Sequence, residues 1–259
     1  MNISSTYITA IPALKDNYIW MMTNVTAHTT LIVDPGDAMP VMHFLEQHHL
    51  NPLAILITHH HWDHTNGIKE LTAKYTIPVY GPENNVLDVT HRLKEPDVIQ
   101  VDSTCIPLQI LNIPGHTLDH IAYYAQDVLF CGDTLFAAGC GRVFEGSPEQ
   151  LFSSLQKIAA FPGETKIYCA HEYTLNNLRF AQTVEPNNGC ISERLKQVQY
   201  LRDQSLPTLP STLLAEKTTN PFLRCHMGEV KSQVEHYAGH SLATALDVFT
   251  ELRKWKDQF

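Results

Sequence analysis

The sequence predicts an α/β protein whose last third is entirely helical. Up to about residue 169, short β-branched and aliphatic runs alternate with Gly, Pro, Asn and Asp, and these runs have the length of strands. After about residue 173, apolar residues recur every three or four positions, which is helical spacing. Because strands with intervening helices form sheets covered by helices, we expect a layered α/β architecture followed by an all-helical C-terminal part.

The individual elements follow from the same patterns. Strands are expected over residues 17–22, 30–33, 54–57, 78–80, 105–113, 121–124, 128–131 and 166–169. Helices are expected over 40–49, 148–159, 191–201 and 242–252, and Pro148 after Ser147 is typical of a first helical residue behind its N-cap. The Pro/Ser/Thr-rich stretch 207–221 is expected to be a long ordered connection. We place a domain boundary after residue 173, which gives domains of residues 1–173 and 174–259.

Composition and charge exclude several classes of protein. The 259 residues are 44% hydrophobic and 17% charged, which is ordinary for a globular chain. No apolar run approaches the roughly 18 residues of a membrane helix, and the first fifteen residues show neither a signal nor a transit peptide. The net charge of −9 is a poor match for nucleic acid or anionic lipid. The six cysteines form no C-x-x-C motif, which favours a reducing compartment, and we expect a cytoplasmic monomer.

Four of the 15 histidines fall within the segment 59–64, directly after the predicted strand 54–57. In an extended segment alternate side chains face the same way, so His59, His61 and Asp63 can point into one space. The helical H-E-x-x-H motif is excluded because His61 follows His60. Imidazoles with a carboxylate suit a divalent ion such as zinc, iron or manganese.

Further ligand-type residues, His116, Asp133 and His171, each follow a predicted strand. Open α/β sheets collect their ligand sites at this end of the strands. Together with His64 there are seven candidates, which suit two ions if one carboxylate bridges them. Two alternatives remain open: Asp133 could cap the following segment, and His116 or His171 alone could be structural. The remaining histidines, including His120, are expected at the surface or in loops.

Several longer strings carry a family resemblance. They are IVDPGD, THHHWDHTNG, IPGHT, CGDTLFAAGCGRVFEG, AHEYTLNNLRFAQTVEP, NPFLR and the terminal RKWKDQF. Nearly end to end, the chain resembles the glyoxalase II (hydroxyacylglutathione hydrolase) family of the metallo-β-lactamase superfamily. The resemblance implies a four-layer αβ/βα sandwich that carries the catalytic site and a C-terminal all-helical domain that binds glutathione.

The resemblance also implies the role of each candidate ligand. One divalent metal ion, most commonly zinc, would be held by His59, His61 and His116. A second would be held by Asp63, His64 and His171, with Asp133 as the bridge. Asp34 would support this site from behind, and His60 would be a spectator.

The implied reaction is hydrolysis of S-D-lactoylglutathione to glutathione and D-lactate, the second step of methylglyoxal detoxification. Asp63 and Asp133 neutralise only half of the charge of two divalent ions, and the surplus favours a metal-bound hydroxide as nucleophile. Because thiolate is a good leaving group, no strong general acid is required.

The implied binding site for the anionic glutathione lies partly on the last predicted helix. Arg253 and Lys256 lie three residues apart and so share a face, where the family holds the glycine carboxylate of glutathione. Tyr173 occupies the family's tyrosine position. Arg142 and Phe144 stand where the family usually has Lys and Tyr, and Phe144 lacks a hydroxyl that would contribute about 1 kcal/mol. Alternatively, Arg253 and Lys256 are solvated residues that offset the helix dipole.

Three rival functions remain at this point. A mono-iron glutathione persulfide dioxygenase on the same fold is the nearest. Phosphodiesterase or nuclease chemistry is opposed by the acidic charge. A non-catalytic glutathione-binding module would require missing ligands, whereas all seven are present.

Overall fold

A computed structural model describes residues 6–103 and 105–259 of the chain. They form two compact units, the first comprising the described residues up to 112 together with 119–132, and the second comprising 113–118 and 133–259. Residues 1–5 of the segment in which no targeting peptide is expected lie outside the described residues. The predicted boundary after residue 173 falls inside the second unit, and the division into domains 1–173 and 174–259 stays a prediction.

The first unit contains a mixed six-stranded sheet. In spatial order its strands are β1 (Thr6–Ala13), β2 (Asn17–Asn24), β3 (Thr29–Val33), β4 (Asn51–Leu56), β5 (Val79–Pro82) and β6 (His91–Leu93). β1 to β3 pair antiparallel, whereas β3 to β6 pair parallel. Parallel neighbours need crossover connections. The connection from β3 to β4 contains α1 (Ala38–His48), and that from β4 to β5 contains α2 (Trp62–Thr65) and α3 (Ile68–Lys74). Residues of the sheet, α1 and α3 form one buried core that includes Ile19, Ile32, Val41, Ile55 and Leu71.

An antiparallel meander completes the first unit. Its strands are β7 (Val98–Ile99), β8 (Leu108–Asn112), β9 (Ile121–Ala125) and β10 (Val128–Gly132). The Tyr123 hydroxyl, fully buried on β9, donates to the carbonyl oxygen of Ile57 at 2.8 Å. Burial raises the pKa of this phenol well above its usual value, so it acts as a neutral donor behind the segment that follows β4.

The second unit is mainly helical. It contains the hairpin β11 (Leu135–Phe136) and β12 (Gly139–Cys140), and the antiparallel pair β13 (Lys166–Cys169) and β14 (Ser211–Thr212). Its helices are α4 (Pro148–Ala159), α5 (Thr174–Val184), α6 (Gly189–Asp203), α7 (Leu213–Thr219), α8 (Gly228–Ala238) and α9 (Ala245–Gln258), with a 3₁₀ turn at Pro221–Leu223. Aromatic rings of Phe180, Phe222, Phe249 and Trp255 pack together between these helices.

Most of the predicted elements are confirmed. α4 spans the expected residues, and Ser147 and Gln150 form the reciprocal capping box at its start. The connection expected over 207–221 is wrong in part, because β14 and α7 lie within it. Its prolines stand only at positions 207, 210 and 221, which leaves a proline-free stretch, and the Thr212 side chain caps α7.

Across the described chain, no helix is long and apolar enough to cross a membrane.

Candidate functional site

The ligand-type residues of the first unit follow β4. His59 Nε2 and His61 Nδ1 lie 3.1 Å apart, with their rings at 75° to each other. Two nitrogens bound to one tetrahedral ion at about 2.1 Å lie about 3.4 Å apart, so this pair has the separation of two ligands of one metal. The His59 and His64 side chains are buried, as expected for ligands shielded from competing solvent.

Asp63 does not lie in an extended segment, contrary to the alternation expected over 59–63. Helix α2 begins at Trp62, so Asp63 lies in its first turn. Asn17 holds it there, because its Nδ2 donates to Asp63 Oδ2 at 3.0 Å and contacts the Asp63 carbonyl oxygen at 3.3 Å. The backbone of residue 36 also packs against the Asp63 carbonyl oxygen, which only glycine allows, since a Cβ on residue 36 would lie 1.9 Å from that oxygen. Sequence reasoning missed Asn17, because its place as the first residue of β2 carried no chemical signal.

Asp34 organises two residues of this segment at once. Its Oδ1 accepts from the Thr58 amide at 2.8 Å, and its Oδ2 accepts from the Thr58 hydroxyl at 2.7 Å. The same Oδ2 lies 3.1 Å from His64 Nδ1. With the proton on Nδ1, His64 donates to Asp34, and its Nε2 carries the lone pair that a metal requires. His64 Nε2 lies 3.6 Å from Asp63 Oδ2.

Asp119 and His120, which are not among the predicted metal ligands, pack against the histidine-rich segment. His60 Nδ1 lies 3.0 Å from each carboxylate oxygen of Asp119, which fixes the orientation of the His60 ring. His120 was expected at the surface or in a loop; it lies in the loop before β9, but its side chain is buried and its ring stacks on His59 at 4.6 Å and 13°. Stacking restricts the rotation of the His59 ring, and only tertiary structure could have revealed it.

The second unit brings the other three ligand-type residues together. Asp133 Oδ2 lies 3.5 Å from His116 Nε2 and 3.3 Å from His171 Nε2. His116 Nδ1 lies 2.9 Å from the Arg142 carbonyl oxygen, which accepts its proton and leaves Nε2 as the coordinating nitrogen. The chain can pass behind both side chains because residue 141 is glycine: a Cβ there would lie 2.0 Å from the Asp133 carbonyl oxygen.

Two of these three residues, His116 and Asp133, border a pocket of the second unit. The pocket has a volume of about 440 Å³. Its lining includes all five residues expected to bind substrate, which are Arg142, Phe144, Tyr173, Arg253 and Lys256. It also includes His116, Asp133 and four residues that sequence reasoning missed, namely Phe136, Cys140, Asn176 and Asn177. Ligand-type and cationic side chains therefore share one cavity.

The cations of the pocket differ in their surroundings. Arg253 is buried: its Nη1 donates to the Cys140 carbonyl oxygen at 2.9 Å, and its Nη2 donates to Asp257 at 3.0 Å. Arg142 is exposed and also faces Asp257, at 3.4 Å. Lys256 is half-buried, and its pKa is lowered by burial and by the positive charges of Arg253 and Arg142. An anion bound in the pocket would relieve this repulsion.

The aromatic and thiol side chains form the remaining walls. Tyr173 stacks on the His171 ring at 4.7 Å and 4°, and Phe144 meets the His116 ring edge-on at 5.2 Å. Phe144 is 63% exposed, so it stands at the rim rather than in the core. Burial raises the pKa of the Cys140 thiol to about 11, so it is protonated near neutral pH and is no nucleophile.

The chemistry of the donor set fits divalent cations. Each unit presents imidazole and carboxylate donors at separations of 3.1 to 3.6 Å, the range expected for neighbours in one coordination shell. The imidazoles of His59, His64 and His116 each have an oxygen within hydrogen-bond distance of the opposite ring nitrogen. Such acceptors orient coordinating histidines and fix their tautomer.

Comparison with known proteins places the chain in a family. A model of the metallo-β-lactamase superfamily matches residues 17–171, and a model of the hydroxyacylglutathione hydrolase C-terminus matches 172–259. Hydroxyacylglutathione hydrolases from Nitrosomonas europaea and Alkalilimnicola ehrlichii are each 50% identical to the chain. The first match covers 96% of this chain and 95% of the relative, and the second covers 98% and 99%.

Solved structures confirm the predicted fold class. The BLEG-1 B3 metallo-β-lactamase superimposes with a TM-score of 0.65 at 23% identity, over 84% of this chain and 99% of that one. ETHE1 from Myxococcus xanthus gives a TM-score of 0.65 at 20% identity, over 97% of each chain. At such identities the likeness concerns the fold alone. The family models and the close relatives together confirm the resemblance seen in the sequence: the chain belongs to the hydroxyacylglutathione hydrolase family of the metallo-β-lactamase superfamily.

Proposed function

We propose that this protein is a thioester hydrolase that cleaves S-(2-hydroxyacyl)glutathione, with S-D-lactoylglutathione as the substrate, to glutathione and D-lactate. In the cell this would be the second step of methylglyoxal detoxification. One observation supports the proposal most strongly: the pocket of the second unit combines His116 and Asp133 with Arg142, Arg253 and Lys256. A thioester of an anionic tripeptide needs both kinds of group, hydrolytic donors at one end and cations at the other.

The proposed metal ligands follow the family assignment. His59, His61 and His116 would hold one divalent cation, and Asp63, His64 and His171 the other. Asp133 would bridge the two, which is supported by the approach of its Oδ2 to both His116 and His171. Zinc is the proposed metal, with iron and manganese as alternatives, because nitrogen-rich sites of this kind accept all three.

When bound, a pair of divalent cations would lower the pKa of a coordinated water far below its ordinary value and so supply hydroxide at neutral pH. The residues of the chain position this chemistry. Asp34 and the Arg142 carbonyl oxygen keep the Nδ1 protons of His64 and His116 in place, so both rings present Nε2. Addition of hydroxide to the thioester carbonyl carbon and cleavage of the C–S bond release the hydroxy acid and glutathione thiolate.

Substrate binding is proposed to rest on the pocket walls. Lys256 and Arg142 would neutralise the carboxylates of glutathione, whereas the buried Arg253 would hold Asp257 and the Cys140 carbonyl in place beneath them. The stacked Tyr173 would offer its hydroxyl to the peptide, and Phe144 would cover one side at the rim. We further propose that the protein acts as a cytoplasmic monomer without nucleic-acid or membrane partners.

The experiment that tests this proposal compares two glutathione chemistries. Purified protein is assayed for loss of the thioester absorbance of S-D-lactoylglutathione and, separately, for oxygen consumption with glutathione persulfide. We expect thioester hydrolysis without oxygen uptake. Oxygen-dependent persulfide oxidation without thioester hydrolysis would replace the proposal with the mono-iron dioxygenase alternative.

A further inference from the structure

The β11–β12 hairpin carries much of the pocket wall. Asp133 precedes it, Phe136 and Cys140 lie within it, and Arg142 follows it. Its strands pair over only two positions, Leu135 with Cys140 and Phe136 with Gly139. Ala138 in its turn has a φ of 55°, a left-handed conformation that a residue with a Cβ adopts reluctantly. So short a hairpin needs support from elsewhere to keep this shape.

That support comes from buried side chains of the same unit. Asn220 Nδ2 contacts the carbonyl oxygens of Phe136 at 3.1 Å and Gly139 at 2.9 Å. Glu216 Oε2 accepts from the Ala138 amide at 2.7 Å and from Asn220 Nδ2 at 3.0 Å. Asn177, itself a pocket residue, donates to the Ala137 carbonyl at 3.0 Å. Every residue from Phe136 to Gly139 therefore has a backbone group bound by a buried side chain.

The charge of Glu216 is compensated on its other side. Its Oε1 accepts from Arg194 Nη2 at 2.6 Å and from the Ser211 hydroxyl. Both Glu216 and Asn220 are completely buried. Burying the Glu216–Arg194 ion pair costs desolvation free energy, and apolar residues of similar volume would stabilise the fold as well or better. What apolar residues could not do is bind individual amide and carbonyl groups and so fix the backbone path.

We propose that Glu216 and Asn220 are positioning residues for the hydrolase reaction. They would hold the turn of the hairpin in its left-handed conformation without touching the substrate themselves. This would keep the pocket residues in place, namely Asp133, Phe136, Cys140 and Arg142. This inference rests on the proposed function, to which it adds two residues outside the pocket lining.

The chain contains a matched control cluster. Glu185 is also completely buried and accepts from Arg224 at 2.8 to 3.1 Å, and Asn188 donates to Glu185 at 3.4 Å. Asn188 caps a helix through the Cys190 amide at 3.1 Å, just as Asn220 caps the 3₁₀ turn through the Phe222 amide at 3.1 Å. The side-chain hydrogen bonds given for Glu185 and Asn188 join them to Arg224, Thr218, Cys190 and each other rather than to the hairpin.

The test compares Glu216→Gln and Asn220→Asp with Glu185→Gln and Asn188→Asp. Glu216→Gln replaces one carboxylate oxygen by a donor, so either Arg194 or the hairpin loses its acceptor. Asn220→Asp keeps the oxygen that caps the 3₁₀ turn but removes the donor to the two hairpin carbonyls. Hydrogen–deuterium exchange of residues 135–141, glutathione affinity by calorimetry, and kcat and KM for S-D-lactoylglutathione are measured on each metal-loaded protein.

We expect the two hairpin variants to exchange the 135–141 amides at least 10-fold faster, to bind glutathione about 10-fold more weakly and to show a raised KM. The two control variants should lose comparable thermal stability and keep wild-type exchange, affinity and KM. Wild-type exchange and affinity in the hairpin variants, or equal losses in the controls, would overturn the inference. If Asn220→Asp does not fold, Asn220→Ala, which also has no side-chain donor, is compared with Asn188→Ala in the same way.

Failure of the proposed function gives a different result. A wild-type protein without thioester hydrolysis would refute the hydrolase assignment, while the exchange measurement would still decide whether Glu216 and Asn220 hold the hairpin.

Discussion

The two sets of ligand-type residues are built in opposite ways. His59, His61, Asp63 and His64 come from one continuous segment after β4, and residues of the first unit such as Asp34 and Asn17 hold it. His116, Asp133 and His171 come from three separate segments of the second unit and meet at one carboxylate oxygen. The first set depends on local chain geometry and the second on tertiary packing. Substitutions should therefore act locally in the first set and on the whole pocket in the second.

Removal of Asp133 should have the largest effect. Asp133→Ala takes away the one oxygen that both His116 and His171 approach, so we expect loss of bound metal and a fall in kcat of about 1,000-fold or more. Elemental analysis and thioester hydrolysis measure the two effects. Retention of two metal ions per chain with most of the activity would contradict the bridging role.

Asp34→Asn should have the next largest effect and tests the first set. Asparagine has one acceptor oxygen, so it cannot accept from the Thr58 amide at one position and from His64 at the other, as the carboxylate does. With the Thr58 amide bond kept, the amino group of the new asparagine faces His64, which loses the acceptor that fixes its tautomer. Metal affinity should fall by about 10- to 100-fold. Competition with a chromogenic chelator measures it.

Asp119→Asn is the matched control for Asp34→Asn, because Asp119 also faces a histidine of this segment. Its partner, His60, has no proposed ligand role. Equal losses of metal affinity in the two variants would mean that Asp34 acts through general stability rather than through His64.

Lys256→Ala should have a smaller effect that is confined to binding. Loss of a charge-assisted contact raises KM about 10-fold, equivalent to about 1.4 kcal/mol, with little change in kcat. Lys254→Ala is the control on the same helix, since Lys254 pairs with Glu251 and does not line the pocket. A KM that stays at the wild-type value in Lys256→Ala would refute the carboxylate contact.

The pH dependence of KM sharpens this test. Burial and the charges of Arg253 and Arg142 lower the pKa of Lys256, so it loses its proton at lower pH than an ordinary lysine. A cation that becomes neutral binds an anion less well, and KM should therefore rise on the alkaline side. Lys256→Arg should flatten this rise, because arginine stays charged.

Phe144→Tyr should have the smallest effect. The rim position gives a new hydroxyl access to bound substrate, and one additional hydrogen bond would lower KM by a few fold, equivalent to about 1 kcal/mol or less. An unchanged KM would mean that residue 144 does not reach the substrate.

Features that depend on neighbouring residues could be predicted from the sequence, whereas features that depend on tertiary packing could not. The fold class, the cap at Ser147 and the histidine-rich segment depend on neighbouring residues and were predicted from local patterns. Asn17, His120, Glu216 and Asn220 act across long stretches of chain, so no local pattern marks them. The start of α2 at Trp62 was missed because a run of histidines carries no helical periodicity.

Metal content measured together with activity tests the central claim most directly. Elemental analysis of the purified protein should find two divalent ions per chain. Chelation should abolish hydrolysis of S-D-lactoylglutathione, and addition of zinc should restore it. A single iron per chain, or hydrolysis that survives complete removal of metal, would contradict the account.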